Sequence, residues 1–496
     1  MRGTAAVFLA SLVILAWGAR TPGIATAYVD PVAQILAQDE AVYGSSSLAM
    51  ARHGGWLTPR FLGRYALYKP PLLYWLSAMC AKIAGPNALA LRIPSILAGA
   101  GTVVLVFALV RATMPMAAAL AGALLLLSSH LFFVLSRTAL TDALLIFEIT
   151  LAMYTLARDP RLDTPASRWI FGAATGAAIM TKALAGLLPI VILVLTGVSI
   201  LRFSQVCAIA AGIALPWHAW QLYEHPRWFW AEYFLGEHLI WGFNAPQQTT
   251  QESPIPYYAK RIVLIDPILL AAATIAIFKT RPRLAMVWIG VILLSVVAWQ
   301  YRNISYLAPM YPAMAIAAAI AIPKRHARAA LVLTTAFFVA KILLPHQPFG
   351  IPFAPESVNR SQSALDEYAA RHRENELIIV EPDDQFYSAD LDLPRVRYVW
   401  LDSSTNRIKL PLDFEYLGIT VSASDFTRLD QLRPVFAERL HEWNFDSTEP
   451  IATVILARTQ QEIEELIASH PQADFYLPQP SGNHAFRLSS QMIQRP

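Results

Sequence analysis

Long apolar segments recur through the first two thirds of this chain. A helix rises about 1.5 Å per residue, so roughly 20 apolar residues cross the hydrocarbon core of a bilayer. Eleven segments of about this length stand at residues 4–20, 92–110, 116–135, 141–157, 168–181, 184–201, 205–222, 262–278, 283–300, 304–322 and 327–344. The series predicts an all-α polytopic membrane domain with about 11–12 transmembrane helices and some juxtamembrane helices.

The last third of the chain has a different composition. Residues 347–496 hold only 13 of the 39 Lys and Arg residues but 23 of the 35 Asp and Glu residues. Short apolar strands are predicted there at 377–381, 396–401, 416–421 and 451–457, and helices at 429–443 and 459–469. The sequence therefore predicts two domains, a basic membrane domain over 1–345 and a small soluble α/β domain over 346–496.

Composition also excludes several classes of function. The chain is 55% hydrophobic and only 15% charged, which is typical of membrane proteins. Its basic residues form no cluster interleaved with aromatic residues, so we expect no nucleic-acid partner. Cys80 and Cys207 both lie inside apolar segments, which argues against a disulfide framework or a thiolate metal site.

The distribution of basic residues predicts the orientation of the membrane domain. If Arg2 is cytoplasmic and the short segment 72–85 does not cross, most Lys- and Arg-rich loops face the cytoplasm. The segments 28–91, 136–142 and 223–261 and the C-terminal domain then lie together on the outer face. Alternatively, residues 4–20 belong to a cleaved signal peptide, since Ala25–Ala27 resembles a cleavage site.

The first outer loop carries more cations than this orientation favours. They are Arg52, Arg60, Arg64 and Lys69. One explanation is that these side chains reach lipid headgroups. Lys69 differs from the others because two prolines follow it and restrict its backbone, among aromatic residues. We interpret Lys69 as part of a phosphate-binding site.

Two adjacent carboxylates precede this lysine in the same loop. Asp39 stands where the N-cap of a helix over 40–53 is expected, and capping alone is one interpretation. A carboxylate close to an anion site is also suited to act as a general base. We predict Asp39 as the catalytic base, with Glu40 supporting it.

Several motifs together resemble the superfamily of dolichyl-phosphate-mannose protein mannosyltransferases and aminoarabinose lipid A transferases. These proteins are integral-membrane glycosyltransferases of the GT-C fold. The resemblance covers about residues 1–345. The motifs that carry it are Asp39-Glu40-Ala41-x-Tyr43, Arg64 to Trp75, Leu91-Arg92-Ile93-Pro94, Ser136-Arg137-x-x-x-x-Asp142, Thr181-Lys182-x-x-x-Gly186, Leu215-Pro216-Trp217, Glu237-His238 and Arg302-x-x-x-Tyr306-Leu307-x-Pro309.

The resemblance implies sugar transfer from a polyprenyl-phosphate carrier to an acceptor on the outer face, with inversion. The acceptor would be a lipid A-like lipid, a glycan or a protein, and the enzyme would lie in a bacterial inner membrane with its active site and C-terminal domain facing the periplasm. The residues that it implies are catalytic Asp39, Glu40 and Asp142; donor-phosphate-binding Lys69, Arg60, Arg137, Lys182 and Arg302; and substrate-binding Tyr43, Tyr68, Tyr74 and Trp75.

Each of these assignments has a structural alternative. A carboxylate such as Asp142 is favoured in the first turn of any helix, and Arg137 and Lys182 are placed to reach headgroups. No cofactor is expected to be required. Some relatives bind a divalent metal near a Glu-His pair, which makes His238 a candidate ligand, although Tyr68 stands where a glutamate often precedes the lysine.

A transporter or lipid flippase is the alternative from another class. Such proteins place ionisable groups near the bilayer midplane and often contain repeated halves. Here the polar groups gather at the predicted outer ends of the helices, Glu148 is the main exception, and no repeat is evident. The pattern favours the enzyme.

Overall fold

The computed structural model describes most of the membrane domain and parts of the C-terminal domain. The residues described are 2–19, 38–61, 64–65, 68–225, 229, 233–234, 237–238, 252–343, 368, 370–372, 375–380, 396–401, 413–416, 419–422, 454–457, 460–478 and 484–487.

Helices dominate residues 2–343. The first ten are α1 Arg2–Gly18, α2 Gln38–His53, α3 Leu72–Ala84, α4 Ala88–Arg111, α5 Met116–Leu127, α6 His130–Ser136, α7 Thr141–Arg158, α8 Pro165–Lys182, α9 Leu188–Leu195 and α10 Ile200–Glu224. The next five are α11 Pro254–Ile265, α12 Pro267–Thr280, α13 Arg283–Ala298, α14 Tyr311–Ile320 and α15 Ala327–Leu343. Short 3-10 helices cover Ala183–Leu187, Ile304–Met310 and Lys324–His326, and strands β1 Arg60–Phe61 and β2 Arg64–Tyr65 form a small antiparallel pair.

Each predicted apolar segment coincides with a helix or a helix pair. Some of these helices are long and apolar enough to span a membrane. Among the described residues, α4, the continuous α8–α9 segment, α10 and the segment ending in α15 are long and apolar enough. The bent pairs α5–α6 and α11–α12 bring the number to six if each pair is one span. The remaining apolar helices in the described part of the chain, α1, α3, α13 and the segment ending in α14, are shorter. The all-α membrane fold predicted from the sequence is confirmed.

Helix α4 lies at the centre of the membrane domain, in contact with α1, α5 and α7. Its small residues allow this close packing. A Cβ atom at Gly99 would lie 2.5 Å from the Cβ of Ser136, and one at Gly101 would lie 2.7 Å from the Phe147 ring. Only glycine permits such approach between helices, and the same device is common in membrane proteins.

A buried carboxylate joins the two bent helix pairs. Asp266 lies between α11 and α12, which meet at 110°, and it accepts hydrogen bonds from the backbone N–H groups of His130 and Leu131 at 2.6 and 3.2 Å. These groups begin α6, at the 73° bend after α5. Lys341 of α15 lies 3.9 Å from Asp266 and donates to the Ser128 carbonyl. Asp266 thus satisfies backbone donors that a broken helix would leave unpaired.

The described parts of the C-terminal domain form a sheet. The strands are β3 Leu377–Val380, β4 Val396–Leu401, β5 Asp413–Tyr416, β6 Ile419–Ser422, β7 Val454–Ala457, β8 Asp474–Pro478 and β9 His484–Arg487, with helix α16 at Gln460–Ser469. The main sheet has the order β7-β4-β3-β8-β9, and only β9 is antiparallel. Buried Ile378, Ala473 and Phe475 form a core of their own.

The secondary structure predicted for this domain is largely confirmed. Strands β3, β4 and β7 and helix α16 fall within the predicted segments. The single strand expected at 416–421 is wrong, because a β5–β6 hairpin occupies this region. The helix expected at 429–443 lies outside the described residues. Strands β8 and β9 were not predicted.

A buried ion pair fixes the start of α2. The Arg92 guanidinium of α4 donates two hydrogen bonds to the Glu40 carboxylate, at 2.6 and 2.9 Å, and a third to the Ala19 carbonyl. The Ala139 backbone N–H donates to Glu40 at 2.8 Å. Glu40 and Arg92 are only 2% and 4% exposed, so their charges depend on each other. The pair connects α2, α4 and the turn before α7.

Breaking this pair is expected to destabilise the membrane domain. Glu40→Leu leaves the Arg92 charge buried without its partner, which typically costs about 3–5 kcal/mol. Glu40→Leu with Arg92→Leu removes both charges, and we expect it to regain much of the loss. Apparent unfolding temperatures of detergent-purified variants, at one heating rate, measure the effect. A double variant no more stable than Glu40→Leu would contradict this role of the pair.

Candidate functional site

Five ionisable side chains from five separate segments form one polar cluster. They are Asp39, Lys69, Asp142, Lys182 and Glu237. The Lys69 ammonium pairs with the Glu237 carboxylate, and the Lys182 ammonium donates to Asp142 at 2.8 Å. Asp39 interacts electrostatically with the other four. Four of the five were predicted as site residues, and they are up to 143 positions apart in the sequence.

Asp39 takes part in neither of these ion pairs. It lies within the first turn of α2, one residue after the helix begins at Gln38, so it is not the N-cap that the sequence suggested. Its side chain is exposed, yet the surrounding protein withholds much of its hydration. This desolvation is the largest cause that raises the pKa of Asp39 above its ordinary value.

Neighbouring charges modify the pKa of Asp39 in both directions. The ammonium groups of Lys69 and Lys182 lower it. The carboxylates of Asp142 and Glu237 raise it. A carboxyl group whose pKa is raised is a better proton acceptor once ionised, which suits a general base.

The structure gives Glu40 surroundings that differ from those of Asp39. Both oxygens of Glu40 accept hydrogen bonds, from Arg92 and from the Ala139 N–H. The adjacent carboxylates therefore point to different partners, and the bonds of Glu40 favour a role in positioning α2. Arg92 belongs to a recognised motif, but nothing in that motif indicates that it pairs with Glu40.

Aromatic side chains lie next to the cluster. The rings of Tyr43 and Tyr74 pack edge to face with their centroids 5.6 Å apart, and both are buried. Burial first, and then the charge of Asp39, raises the pKa of Tyr43. Tyr68 is partly buried and directly precedes Lys69. The indole N–H of Trp75 instead donates to the Trp56 carbonyl at 2.5 Å.

The three arginines predicted to bind the donor phosphate differ in how close they lie to the two lysines of the cluster. Arg137 is buried, donates to the Gly18 carbonyl at 2.9 Å and lies over the Phe133 ring. Arg60 lies in β1 and is partly buried. Arg302 follows Tyr301, whose pKa is raised mainly by burial and further by Asp39. The Arg302 segment is therefore adjacent to the cluster.

A further arginine lies beside this segment and was not predicted. The Arg261 guanidinium lies 3.6 Å from the centroid of the Tyr257 ring and pairs with Glu252 at 3.1 Å. The Tyr257 hydroxyl donates to the Arg302 carbonyl at 3.4 Å. No recognised motif includes Arg261, so the sequence offered no signal for it.

His238 has a defined tautomer. Its Nδ1 lies 2.5 Å from the Tyr233 carbonyl, which can only accept, so Nδ1 carries the proton. Burial is the largest cause that lowers the pKa of His238. Within the described part of the chain no group of three His, Cys, Asp or Glu side chains is arranged to hold a metal ion.

The chain matches a family model and known relatives. Residues 68–220 match the model of the dolichyl-phosphate-mannose-protein mannosyltransferase family. An uncharacterized Aquifex aeolicus protein is 24% identical over 73% of this chain and 87% of its own length. The undecaprenyl phosphate-alpha-4-amino-4-deoxy-L-arabinose arabinosyl transferase of Pseudomonas aeruginosa (strain LESB58) is 31% identical over 40% of this chain. The chain spans 39% of that relative's length.

Solved structures show the same fold. ArnT from Cupriavidus metallidurans bound to undecaprenyl phosphate aligns with a TM-score of 0.64 at 16% identity, over 99% of both chains. Its apo state aligns with a TM-score of 0.60, over 80% of this chain and 86% of that one. With its apolar helices, the chain is an integral, multi-pass membrane protein. It shares its fold with these ArnT structures, and residues 68–220 are similar to the mannosyltransferase family named above.

Proposed function

We propose that this protein transfers a sugar from a polyprenyl-phosphate carrier to an acceptor, with inversion at the anomeric carbon. The observation that carries the proposal is the polar cluster, in which a carboxylate with a raised pKa lies within electrostatic range of two lysines. The fold shared with ArnT and the names of the curated relatives support it. The acceptor is a lipid A-like lipid, a glycan or a protein.

The two lysines bind the donor phosphate in this proposal. Lys69 and Lys182 are each about four-fifths or more buried, so a phosphate that reaches them is little screened by water. Each ammonium already pairs with a carboxylate. Phosphate binding is therefore an exchange of anions, in which the phosphate replaces Glu237 at Lys69. Arg302 lies on an adjacent segment and adds a further positive charge that stabilises the phosphate.

Asp39 accepts the proton of the acceptor hydroxyl. As that proton leaves, the acceptor oxygen attacks the anomeric carbon on the face opposite the phosphate. The bond from this carbon to the phosphate oxygen breaks, and its electron pair stays on the carrier phosphate. Asp39 then passes the proton to the product phosphate and becomes a carboxylate again. Protons and charge therefore balance without a further reactant.

The remaining predicted residues surround these groups. Asp142 holds Lys182 and is placed to bind a sugar hydroxyl. The partly buried Tyr68 and the packed pair of Tyr43 and Tyr74 provide aromatic surface of the kind that sugar rings contact. Glu40 and Arg137 fix α2 and the turn before α7 through their buried bonds.

We further propose that the cluster faces the outer side of a bacterial inner membrane, which is the periplasm. Lys- and Arg-rich loops such as 279–283 and 324–328 then face the cytoplasm. The C-terminal domain lies on the same side as the cluster. Accessibility of single cysteines placed in these loops to a membrane-impermeant reagent tests the orientation.

Transfer of radiolabelled sugar from a panel of polyprenyl-phosphate sugars, by protein purified in lipid nanodiscs, tests the activity. We expect one donor to be consumed with release of polyprenyl phosphate. A flippase would move the same lipids across a bilayer and leave the bond between sugar and phosphate intact. That second result would contradict the proposal.

Asp39→Asn is expected to lower the rate of transfer by about 10²–10⁴-fold, the usual contribution of a general base. Because the base acts when ionised, wild-type kcat/KM should fall as the pH drops through the Asp39 pKa, which lies above its ordinary value of 3.8. Rates measured across a pH series check both points.

The control is Asp163→Asn, which changes an exposed carboxylate that pairs with Arg202. It should leave the rate and its pH profile unchanged. An Asp39→Asn protein that keeps the wild-type rate would rule out Asp39 as the base.

Glu237→Gln is expected to tighten binding of undecaprenyl phosphate roughly threefold, because the phosphate no longer competes with a carboxylate for Lys69. Lys69→Met should weaken binding. Titration of the purified protein, followed by intrinsic fluorescence, measures both. Glu252→Gln is the matched control, since Glu252 pairs with Arg261 instead. Weaker binding by Glu237→Gln would show that Glu237 itself contacts the ligand.

A further inference from the structure

Helix α7 contains a buried carboxyl group that the proposed chemistry does not use. Glu148 is 5% exposed, and its Oε1 accepts a hydrogen bond from the Thr181 hydroxyl at 2.8 Å. Among the described residues no cation pairs with it, and its Oε2 has no hydrogen-bond partner. An ionisable group in such surroundings is costly to keep, which points to a function.

The Thr181 hydroxyl, which donates to Glu148, is bonded differently from the hydroxyls of Thr150 and Thr175. Thr150 and Thr175 each donate to the carbonyl four residues earlier, at 2.6 and 2.9 Å. That bond is available to a threonine within any helix. Thr181 instead donates across to Glu148 on the neighbouring helix. Satisfying the hydroxyl therefore did not require a carboxyl group.

Thr181 directly precedes Lys182, the last residue of α8. Lys182 donates to Asp142, which lies on α7 as Glu148 does. The last two residues of α8 are therefore attached to α7 at two points. One attachment is deep and involves Glu148, and the other lies in the polar cluster.

The chain turns sharply right after this attachment. Ala183 has φ of +45°, a conformation that residues other than glycine rarely adopt. The following 3-10 helix packs so closely on α8 that a Cβ at Gly186 would lie 2.2 Å from the Ile179 nitrogen. Such a backbone persists only when its surroundings hold it in place. The Thr181–Glu148 bond lies immediately before the turn.

We propose that Glu148 is a positioning residue for donor binding. Through Thr181 it holds the end of α8 so that the Lys182 ammonium stays in the polar cluster, 5.2 Å from the centre of the Tyr306 ring. The inference rests on the proposed function, in which Lys182 binds the donor phosphate.

The test measures affinity of the purified full-length protein for undecaprenyl phosphate in four variants. Glu148→Leu removes the acceptor and Thr181→Val removes the donor. We expect each to weaken binding by a similar factor, about tenfold. Glu148→Gln and Thr181→Ser keep the hydrogen bond and should bind as the wild type does. Apparent unfolding temperatures verify folding, and if Glu148→Leu fails to fold, the Thr181 variants decide the outcome.

The same measurement in a Lys182→Met background separates positioning from general damage. If Glu148 acts through Lys182, Thr181→Val weakens binding no further there. If Thr181→Val still weakens binding in the Lys182→Met background, the positioning role of Glu148 is overturned and the proposed function stands. Wild-type affinity of a folded Thr181→Val protein has the same consequence. If Lys182→Met itself leaves the affinity unchanged, the phosphate-binding role proposed for Lys182 fails, and this inference fails with it.

Discussion

Removing an ionised side chain from water costs several kcal/mol unless an opposite charge or hydrogen bonds compensate it. This cost governs how the membrane domain is arranged. Buried Glu40 meets Arg92 with both oxygens, and Asp266 takes up the backbone donors of a broken helix. The Glu40–Arg92 pair lies where α2 begins, and Asp266 lies where two helix pairs bend. The buried charges therefore position helix ends, and the polar cluster is assembled from such ends.

The cluster itself contains three carboxylates and two lysines. Each lysine is paired, through Glu237 or Asp142, and Asp39 remains outside both ion pairs. An arriving phosphate can therefore replace a carboxylate without leaving a cation unpaired at any stage. Desolvation raises the pKa of Asp39 against the opposing effect of Lys69 and Lys182. One arrangement thus provides for both steps of the proposed reaction, the binding of a phosphate and the acceptance of a proton.

Local sequence patterns predicted most of the helices and three strands of the main C-terminal sheet, β3, β4 and β7. Local patterns singled out Lys69 before two prolines, and the family resemblance singled out Asp142. The structure brings both into the cluster, and their roles stay predictions. Local patterns failed where a residue's role depends on a partner far along the chain. Arg92 is 52 residues from Glu40, and Glu237 is 168 residues from Lys69. Adjacency to Asp39 suggested catalysis for Glu40, whereas its burial against Arg92 favours a structural role.

The proposed donor site depends on replacement of Glu237 at Lys69 by the phosphate of the lipid carrier. An experimental structure of the protein in nanodiscs with undecaprenyl phosphate would show whether this exchange occurs. We expect the phosphate within hydrogen-bonding distance of the Lys69 and Lys182 ammonium groups, with the Glu237 carboxylate turned away and Asp39 still outside any ion pair. A phosphate bound elsewhere, with the Lys69–Glu237 pair intact, would contradict it.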